Sequence, residues 1–278
     1  MMSNWKKIIF ILVMLLPAMV AQAEDASPWD DWKMRTELAL DAESSKKPMY
    51  SIETVQPLYR AGSRKNTLLM QLRAAKEDRF AERHTIYNFG LGFRNLFADN
   101  DAMAGIKLFY DNDDEYGVSR WSVGADLSWK ALDLYANKYH GLGDWKPTNR
   151  GAIEKSLNGY DIDLAAQLPY MPWAKLHAMR YQWEREPAFE NITGRKLSLE
   201  GALTLRWTVE IGRHIVDNRP VNDNFMMLRY RWAGFVREHQ NANNNFWATS
   251  AFEMRDMREH TLERMRRSNT IAVERIEP

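Results

Sequence analysis

The chain has 278 residues, and its 38 Lys and Arg residues nearly balance its 37 Asp and Glu residues, which leaves a formal net charge of +1. This balance argues against an electrostatic nucleic-acid-binding protein, because such proteins carry a strong basic excess. The chain has no cysteine, so disulfide frameworks and thiolate chemistry are excluded. A mean hydropathy of −0.54 fits a soluble protein, but it also fits a membrane barrel whose strands alternate lipid-facing and lumen-facing residues.

The N-terminus has the pattern of a secretory signal peptide. Lys6 and Lys7 precede an apolar run over residues 8–20, and Ala21 and Ala23 are the small residues that a signal peptidase reads. The apolar run is short for a membrane helix, which needs about 20 residues. We therefore predict that residues 1–23 are a signal peptide cleaved after Ala23, with an uncleaved membrane anchor as the alternative.

Beyond the signal peptide, apolar and polar residues alternate in segments of about 8 to 11 residues, close to the length of a tilted membrane strand. In the clearest segment, Trp121–Trp129, the odd-numbered residues are apolar or aromatic and the even-numbered residues are small or polar. Tryptophan at both ends is typical of the aromatic girdles at the two membrane interfaces. The other segments start near Trp32, Met49, Thr67, Tyr87, Ala104, Leu132, Tyr160, Ala174, Lys196, Trp207 and Met226. We predict an all-β fold, a transmembrane antiparallel β-barrel of about twelve strands over residues 24–232.

The connections between these segments distinguish a barrel from a soluble β-sandwich. Bacterial barrels have short periplasmic turns and longer extracellular loops. Short connections are expected at 60–66, 95–101, 130, 169–173 and 206, and they alternate with long ones at 76–84, 112–119, 141–157, 184–195 and 215–223. Only the connection at 44–47 is a short exception among the long ones. A sandwich has no reason to sort its loops in this way, so the pattern predicts a barrel with both ends of its wall in the periplasm.

Several charged residues fall on the faces of the strands that also carry small residues. A Lys or Arg at the lipid midplane costs about 2 to 4 kcal/mol, so these residues are predicted to face a wet lumen, where they can pair with one another. They are Lys107, Asp126, Asp161, Asp163, Glu200, Glu210, Arg229 and Arg231. Asp161 and Asp163 could instead form an acid pair with split pKa values, but ion pairing in the lumen is the preferred interpretation.

The alternation stops after Trp232, and residues 233–278 are predicted to form a loop, a helix and a linker. The stretch from Thr249 to Arg267 has apolar residues at helical spacings, with charges on nearly every side. It fits either a solvated periplasmic helix or a helix inside the pore. In the pore, its charges would meet side chains of the lumen; they include Arg255, Arg258, Glu263 and Arg266.

Two aromatic residues close the last predicted strand. Tyr230 and Trp232 flank Arg231, as expected of a signal that the barrel-assembly machinery reads during insertion. Aromatic anchoring at the membrane interface explains them equally well, and the two roles are compatible.

No catalytic, cofactor or metal site emerges from the sequence. The six histidines are scattered without metal-ligand spacing, and the His-x-Ser-Asn-Gly arrangement expected of an outer-membrane phospholipase is absent. His84, Asp113 and Asp114 could lie at the extracellular rim, where an omptin-like protease would use them, but loop carboxylates are usually just solvated. We therefore predict a protein that is not an enzyme.

Six short motifs follow one another along the chain: Asn88–Arg94, Gly105–Asp111, Gly124–Leu127, Leu132–Tyr139, Asn158–Asp161 and Leu168–Pro169. In this order they resemble the β-domain of the intimin/invasin family, the inverse autotransporters, and the similarity extends from about Ser51 to Ile276. Arg267–Ile271 and Val273–Arg275 lie where that family has a helix leading into an extended linker. The resemblance implies a twelve-stranded outer-membrane barrel with a periplasmic N-terminus, a C-terminal helix inside the pore and an adhesive passenger beyond the linker.

The resemblance also sets the expected function. Because the sequence stops at Pro278 without Ig-like repeats, we expect a translocator or anchor without its own passenger, which exports or displays a separately encoded partner involved in cell adhesion. Its other expected partners are outer-membrane lipid, the barrel-assembly machinery and periplasmic chaperones. The alternatives are a passive porin-like or structural barrel and, less favoured, an outer-membrane hydrolase.

Overall fold

The computed structural model describes residues 35–62, 64–187, 189–204, 206–217, 222–231, 247–252 and 255–278. The predicted cleavage residues Ala21 and Ala23, the aromatic Trp232 and the predicted loop at 233–245 lie outside the described residues. Within the described ranges, no helix is both long enough and apolar enough to cross a membrane.

The strands follow the predicted alternation and form two sheets. Their bounds are β1 (Thr36–Glu43), β2 (Met49–Arg60), β3 (Asn66–Arg79), β4 (Glu82–Phe97), β5 (Ala102–Asp113), β6 (Ser119–Trp129), β7 (Leu132–Leu142), β8 (Lys146–Pro147), β9 (Ile153–Ser156), β10 (Asn158–Leu168), β11 (Met171–Glu184), β12 (Ile192–Ala202), β13 (Trp207–Val216), β14 (Asn222–Arg231) and β15 (Val273–Ile276). Twelve of them close into an antiparallel barrel, and β8, β9 and β15 form a separate three-stranded sheet. The predicted twelve-stranded barrel is confirmed.

The two faces of the barrel wall differ in polarity, as β5 illustrates. Ile106 points outward and is 65% exposed, whereas its neighbours Lys107 and Asp111 are buried inside, together with Phe109. Strand residues alternate between the two faces of a sheet, so every second residue reaches the lumen. The barrel therefore has an apolar exterior and a charged interior. This is the reverse of a soluble protein, and it suits a lipid environment.

Closure of the barrel joins the first strand to the last. β1 pairs with β14 in a register that places Leu38 opposite Tyr230 and Glu37 opposite Arg231. Elsewhere neighbouring strands are consecutive in sequence, except that β7 pairs directly with β10, because the connection between them contains β8 and β9. The two chain ends of the wall therefore lie at the same end of the barrel.

The two ends of the barrel differ in their connections, although less regularly than predicted. The long connection expected at 76–84 is wrong, because β3 and β4 extend to Arg79 and Glu82 and leave only Phe80 and Ala81 between them. Both turn residues have positive φ, as the tight hairpin turns that suit twisted strands require. We call the end with connections 143–157 and 185–191 the long-loop end, and the opposite end, with the turns at 98–101, 130–131 and 169–170, the short-turn end.

The predicted C-terminal helix is wrong. Residues 257–262 form successive turns, residues 263–272 are irregular, and the chain then enters β15; no α-helix occurs in the described part of this region. The backbone carbonyls of this stretch accept hydrogen bonds from barrel side chains, among them Arg94, Lys107 and Arg120. A helix would have used those carbonyls for its own amides, so the charged wall replaces the internal hydrogen bonds of a helix.

Candidate functional site

The most unusual feature of the molecule is a stretch of its own chain that runs through the barrel, residues 255–272, which we call the lumen segment. Near its start, Met257 donates its backbone N–H to the carbonyl of Asn100 in a turn at the short-turn end, at 2.9 Å. Just beyond its end, β15 pairs antiparallel with β9 in the 143–157 connection at the long-loop end. The lumen segment therefore passes from one end of the barrel to the other.

At the short-turn end, the lumen segment is held by one arginine and one apolar side chain. Arg255 pairs with Asp133 at 2.9 Å and also donates to the backbone carbonyls of Lys130 and Leu132. Met257 is fully buried and packs with Leu96 and Met103. These contacts attach the segment to the rim of the barrel where it begins to enter.

Further in, barrel side chains hold the backbone of the segment. Arg94 of β4 donates to the carbonyls of Thr261 and Glu263 at 3.0 and 2.6 Å. Gln71 of β3 accepts the backbone N–H of Met265 at 2.6 Å. Since these bonds go to the peptide backbone, they hold an extended chain with little dependence on its side chains.

A glycine makes room for the segment at this level. A Cβ added to Gly92 would collide with the sulfur of Met265, which packs into a cluster with Val55, Leu69 and Phe109. The absence of a side chain at Gly92 thus makes room for the internal segment. A side chain at Gly92 would have to displace the lumen segment.

Arg266 of the lumen segment pairs with three carboxylates of the barrel wall. Its guanidinium bonds Asp163 and Glu210, the latter at 2.7 Å, and reaches Glu200 at 3.5 Å. Arg229 of the wall pairs with Glu200 at 2.9 Å and with Glu210 at 2.5 Å. Two arginines thus share three carboxylates, which satisfies charges that would be costly to leave unpaired in a buried position.

A second cluster follows one residue later. Arg267 and the wall residue Arg120 both pair with Asp111, at 2.8 and 2.7 Å respectively, and all three side chains are buried. The backbone N–H of Ser268 donates to the hydroxyl of Tyr139 at 2.8 Å. The arginine–carboxylate pairs on successive residues of the segment contact opposite parts of the wall, so the segment is fixed from several sides.

At the long-loop end, ion pairs hold β15 on both of its sides. Arg185 forms a two-pronged contact with Glu274, and Arg275 pairs with Glu154 of β9 at 3.1 Å. The hydrogen bond to Glu274 raises the pKa of Arg185. Arg79 bonds Glu154 at 2.8 Å and thereby connects β9 to the barrel wall.

A tyrosine of the 114–118 connection completes this end. Tyr116 donates its hydroxyl to Glu82 and stacks edge-on against His84 at a centroid distance of 5.2 Å. Burial, reinforced by the hydrogen bond to Glu82, raises the pKa of Tyr116 to about 12. Tyr116 therefore keeps its donor proton at neutral pH.

The residues singled out in the sequence occupy different parts of this arrangement. Lys107 pairs with Asp126, Asp161 accepts from Tyr139 and Ser268, and Arg231 pairs with Glu37. Glu263 bonds His260 at 2.7 Å. Arg258 does not enter the wall network, because its half-exposed side chain folds back onto Asp256. Tyr230 lies against Trp207 at a centroid distance of 4.8 Å.

The strongest wall contacts that sequence reasoning missed are Arg94, Arg120, Asp133 and Gln71. The sequence pattern places Arg94 on the lumen-facing side of an alternating strand. A signal for it was available, since a cation among lumen-facing glycines needs buried acceptors; in the structure these are Asp126 of the wall, at 3.3 Å, and the carbonyls of the lumen segment. The three-stranded outer sheet was also missed, because neither Ile153–Ser156 nor Val273–Ile276 alternates between apolar and polar residues.

A polar cavity lies beside the lumen segment. The centres of water molecules can occupy about 90 Å³ of it, which is room for several waters. It is lined mainly by charged side chains, among them Glu37, Glu200, Arg229 and Arg264. Waters in this cavity would be hydrogen-bonded to charged groups of the wall and of the segment.

The rim residues considered for proteolysis are engaged in structural contacts. His84 bonds Asp113 at 2.8 Å, and both side chains are fully buried. Asp113 also pairs with Arg79. Among the described residues, no group of three or more His, Asp or Glu is arranged to hold a metal ion.

Comparison with known proteins gives one family match. The family model described as "Inverse autotransporter, beta-domain" matches residues 19–269, which is most of the chain.

Several solved structures have a fold similar to that of this barrel. A chain from the study "Unveiling the Mechanism Behind the in-meso Crystallization of Membrane Proteins" is 17% identical with a TM-score of 0.68, covering 87% of this chain and all of that one. The COG4313 outer membrane channel from Pseudomonas putida F1 is 11% identical with a TM-score of 0.50, covering 75% of this chain and 98% of its own. The outer membrane phospholipase dimer from Salmonella typhi with bound calcium is 11% identical with a TM-score of 0.45, covering 76% and 93%, and this likeness is too weak to carry an argument.

Proposed function

Because the chain belongs to the inverse autotransporter β-domain family, we propose that this outer-membrane barrel passes a polypeptide through its lumen and then anchors it in place. The observation that carries the proposal is the lumen segment, which occupies the barrel from the short-turn end to the long-loop end. Its C-terminal continuation, β15, is paired with β9 outside the barrel. A chain caught at the end of its own passage would have this arrangement.

The direction of passage follows from the loops. In barrels of this class the shorter turns face the periplasm and the longer loops face the outside. The lumen segment therefore enters from the periplasm and leaves at the cell surface. Anything attached beyond Pro278 would be displayed outside the cell.

The contacts also suit a translocator better than a porin. Besides its ion pairs, the wall binds backbone carbonyls and amides of the segment, groups that every polypeptide offers. A passive pore would gain nothing from filling its lumen with charge pairs such as Arg266 with Glu210. The family match also favours a role without enzymatic activity.

Three finer points extend the proposal. The N-terminal residues 1–23 act as a cleaved signal peptide, and the barrel-assembly machinery and periplasmic chaperones insert the barrel. The adhesion partner expected from the family motifs would be a separately encoded protein that this barrel exports or displays. N-terminal sequencing of the mature protein and co-purification from envelopes test these points.

The direction of passage is tested by epitope display. A short epitope placed after Pro278 should bind antibody on intact cells, whereas the same epitope placed after Glu24 should bind only after the outer membrane is permeabilised. A C-terminal epitope that becomes accessible only after permeabilisation would contradict the proposal. Heat-modifiable migration of both proteins verifies that the barrel is folded.

A further inference from the structure

The outside of the barrel carries four cations near the long-loop end. They are Lys138 of β7, Arg180 of β11, Arg195 of β12 and Arg213 of β13, and we call them the basic belt. All four are exposed, while the neighbours that follow Lys138 and Arg180 in sequence, Tyr139 and Tyr181, are buried on the lumen side. The basic belt therefore lies on the surface that faces the membrane.

The basic belt marks the upper limit of the apolar exterior. Two to four residues below it, outward positions are apolar and exposed; they are Leu134, Leu176, Leu197, Leu199 and Ile211. A Lys or Arg at the bilayer midplane costs about 2 to 4 kcal/mol, but the cost falls to about 0 to 1 kcal/mol near the interface. The belt is therefore at the level of the headgroups of the outer leaflet.

Two members of the belt are placed directly opposite each other. Arg180 and Arg195 are register partners on β11 and β12, which brings their Cβ atoms to about 5 Å. Arg195 is the partner of Ile215 on β13, so Arg213 is its diagonal neighbour at about 7 to 8 Å. Like charges in these positions destabilise a sheet unless an anion lies between them.

Acidic side chains compensate only part of this charge. Lys138 pairs with Glu184 at 3.1 Å and Arg180 pairs with Asp217 at 2.8 Å. Arg195 and Arg213 have no acidic partner among the residues that the structure describes. The belt thus offers two arginine guanidinium groups to an anion from outside the chain.

Three members of the belt, all arginines, lie on the adjacent strands β11 to β13. On the other half of the barrel, positions near the long-loop end carry the aromatic residues Tyr50, Tyr110 and Trp121, together with two cations that donate to the chain itself, Lys76 and Arg83. Aromatic residues are the usual interface anchors in barrels. The arginines of β12 and β13, which lack an acidic partner among the described residues, therefore favour an anion from outside the chain.

We propose that the basic belt binds the phosphate groups of lipid A, the acylated and phosphorylated saccharide of the outer leaflet. The arginine fork matches phosphate oxygens in a two-pronged geometry, and it neutralises the repulsion between Arg180 and Arg195. The acyl chains would lie along the apolar strip below the belt. This site is separate from the lumen. It rests on the proposed function in one respect, namely that the long-loop end faces the cell exterior.

The test measures lipid A bound to the purified, folded barrel in detergent by native mass spectrometry. The double variant Arg195→Gln/Arg213→Gln is compared with wild type and with Lys76→Gln, a cation on the other half of the barrel that donates to Thr85. Removing two charged hydrogen-bond donors should weaken binding of bis-phosphorylated lipid A about tenfold or more. Lys76→Gln should bind like wild type, and Arg195→Lys/Arg213→Lys should retain part of the affinity.

The lipid probes separate a phosphate site from a general apolar surface. Lipid A without phosphates should bind to wild type as weakly as bis-phosphorylated lipid A binds to the double glutamine variant. Equal binding of the phosphorylated and dephosphorylated lipids, or equal binding by wild type and the double variant, would overturn the proposal. So would displacement of lipid A by an equal concentration of inorganic phosphate, since the site would then hold a free anion. Heat-modifiable migration establishes that each variant is folded.

Discussion

Arg266 concentrates the interactions between the lumen segment and the wall in a single side chain. It contacts Asp163, Glu200 and Glu210, and the two glutamates also pair with Arg229. Glu210 and Asp163 are almost completely buried, so neither can exchange its arginine for bulk water. The stability of the whole arrangement should therefore be sensitive to this one residue.

Replacing Arg266 by glutamine is expected to destabilise the barrel. The change removes the arginine partner of Asp163 and leaves Arg229 as the partner of the buried Glu210, and breaking a buried ion pair costs about 3 to 5 kcal/mol. The urea midpoint of the protein in lipid vesicles measures the loss. Arg258→Gln is the matched control, because Arg258 is exposed and pairs only with Asp256, and it should leave the midpoint nearly unchanged. Equal midpoints for the two variants would contradict the structural role of Arg266.

The close approach of Gly92 to Met265 gives a second test at this scale. Gly92→Ala should destabilise the protein by about 1 to 3 kcal/mol through overpacking. Gly92→Ala combined with Met265→Ala should lose less than the sum of the two single losses, by about 1 kcal/mol, because the smaller side chain removes the collision. Gly62→Ala, where an added Cβ meets nothing within 4 Å, is the control. Strict additivity of the two changes would mean that the residues are not in contact.

The lumen-facing charges could be expected from the sequence, but their partners could not. Alternation places Lys107 and Asp163 on the inner face, since a charge facing lipid would be costly. Which carboxylate each cation meets depends on the register between strands and on the path of the lumen segment. Neither leaves a periodic trace in the sequence, so Arg120 and Asp111 could be recognised as partners only in the structure.

Among the elements, the lumen segment shows where the periodicity of apolar residues misleads. The spacing of Met257, Leu262 and Met265 suggested a helix. In the barrel, these side chains pack into different wall clusters, and the wall supplies the hydrogen bonds that a helix would make internally. The prediction failed because periodicity carries no information about a surrounding wall that competes for the backbone.

The pairing of β9 with β15 is the corresponding prediction for elements. Ser156 and Val273 are register partners, and the chain has no native cysteine. Cysteines at these two positions should form a disulfide, since directly opposite residues have Cβ atoms about 5 Å apart. Cysteines at Ser156 and Ile276 are the control, because the offset of three residues along the strand is about 10 Å. Labelling of free thiols with a maleimide polymer distinguishes the two, and similar labelling of both pairs would refute the register.

For the whole molecule, alternation and segment length predicted the strands, and the sorting of short and long connections distinguished a barrel from a β-sandwich. The loop lengths predicted its orientation less securely, since the β3–β4 turn at the long-loop end is as short as any. The path of the C-terminal chain adds an independent asymmetry. The chain enters the barrel at the short-turn end and leaves it at the long-loop end, so its path distinguishes the two ends. Only the structure shows this path.

The central claim is that the chain fills its own pore from end to end, and single-channel conductance in a planar bilayer tests it most directly. The full chain should conduct poorly, because the lumen segment crosses the barrel from the short-turn end to the long-loop end. Deletion of residues 251–278 should raise the conductance several-fold, whereas deletion of Glu277 and Pro278 alone, which leaves the segment in place, should not. A current unchanged by the longer deletion would contradict the account.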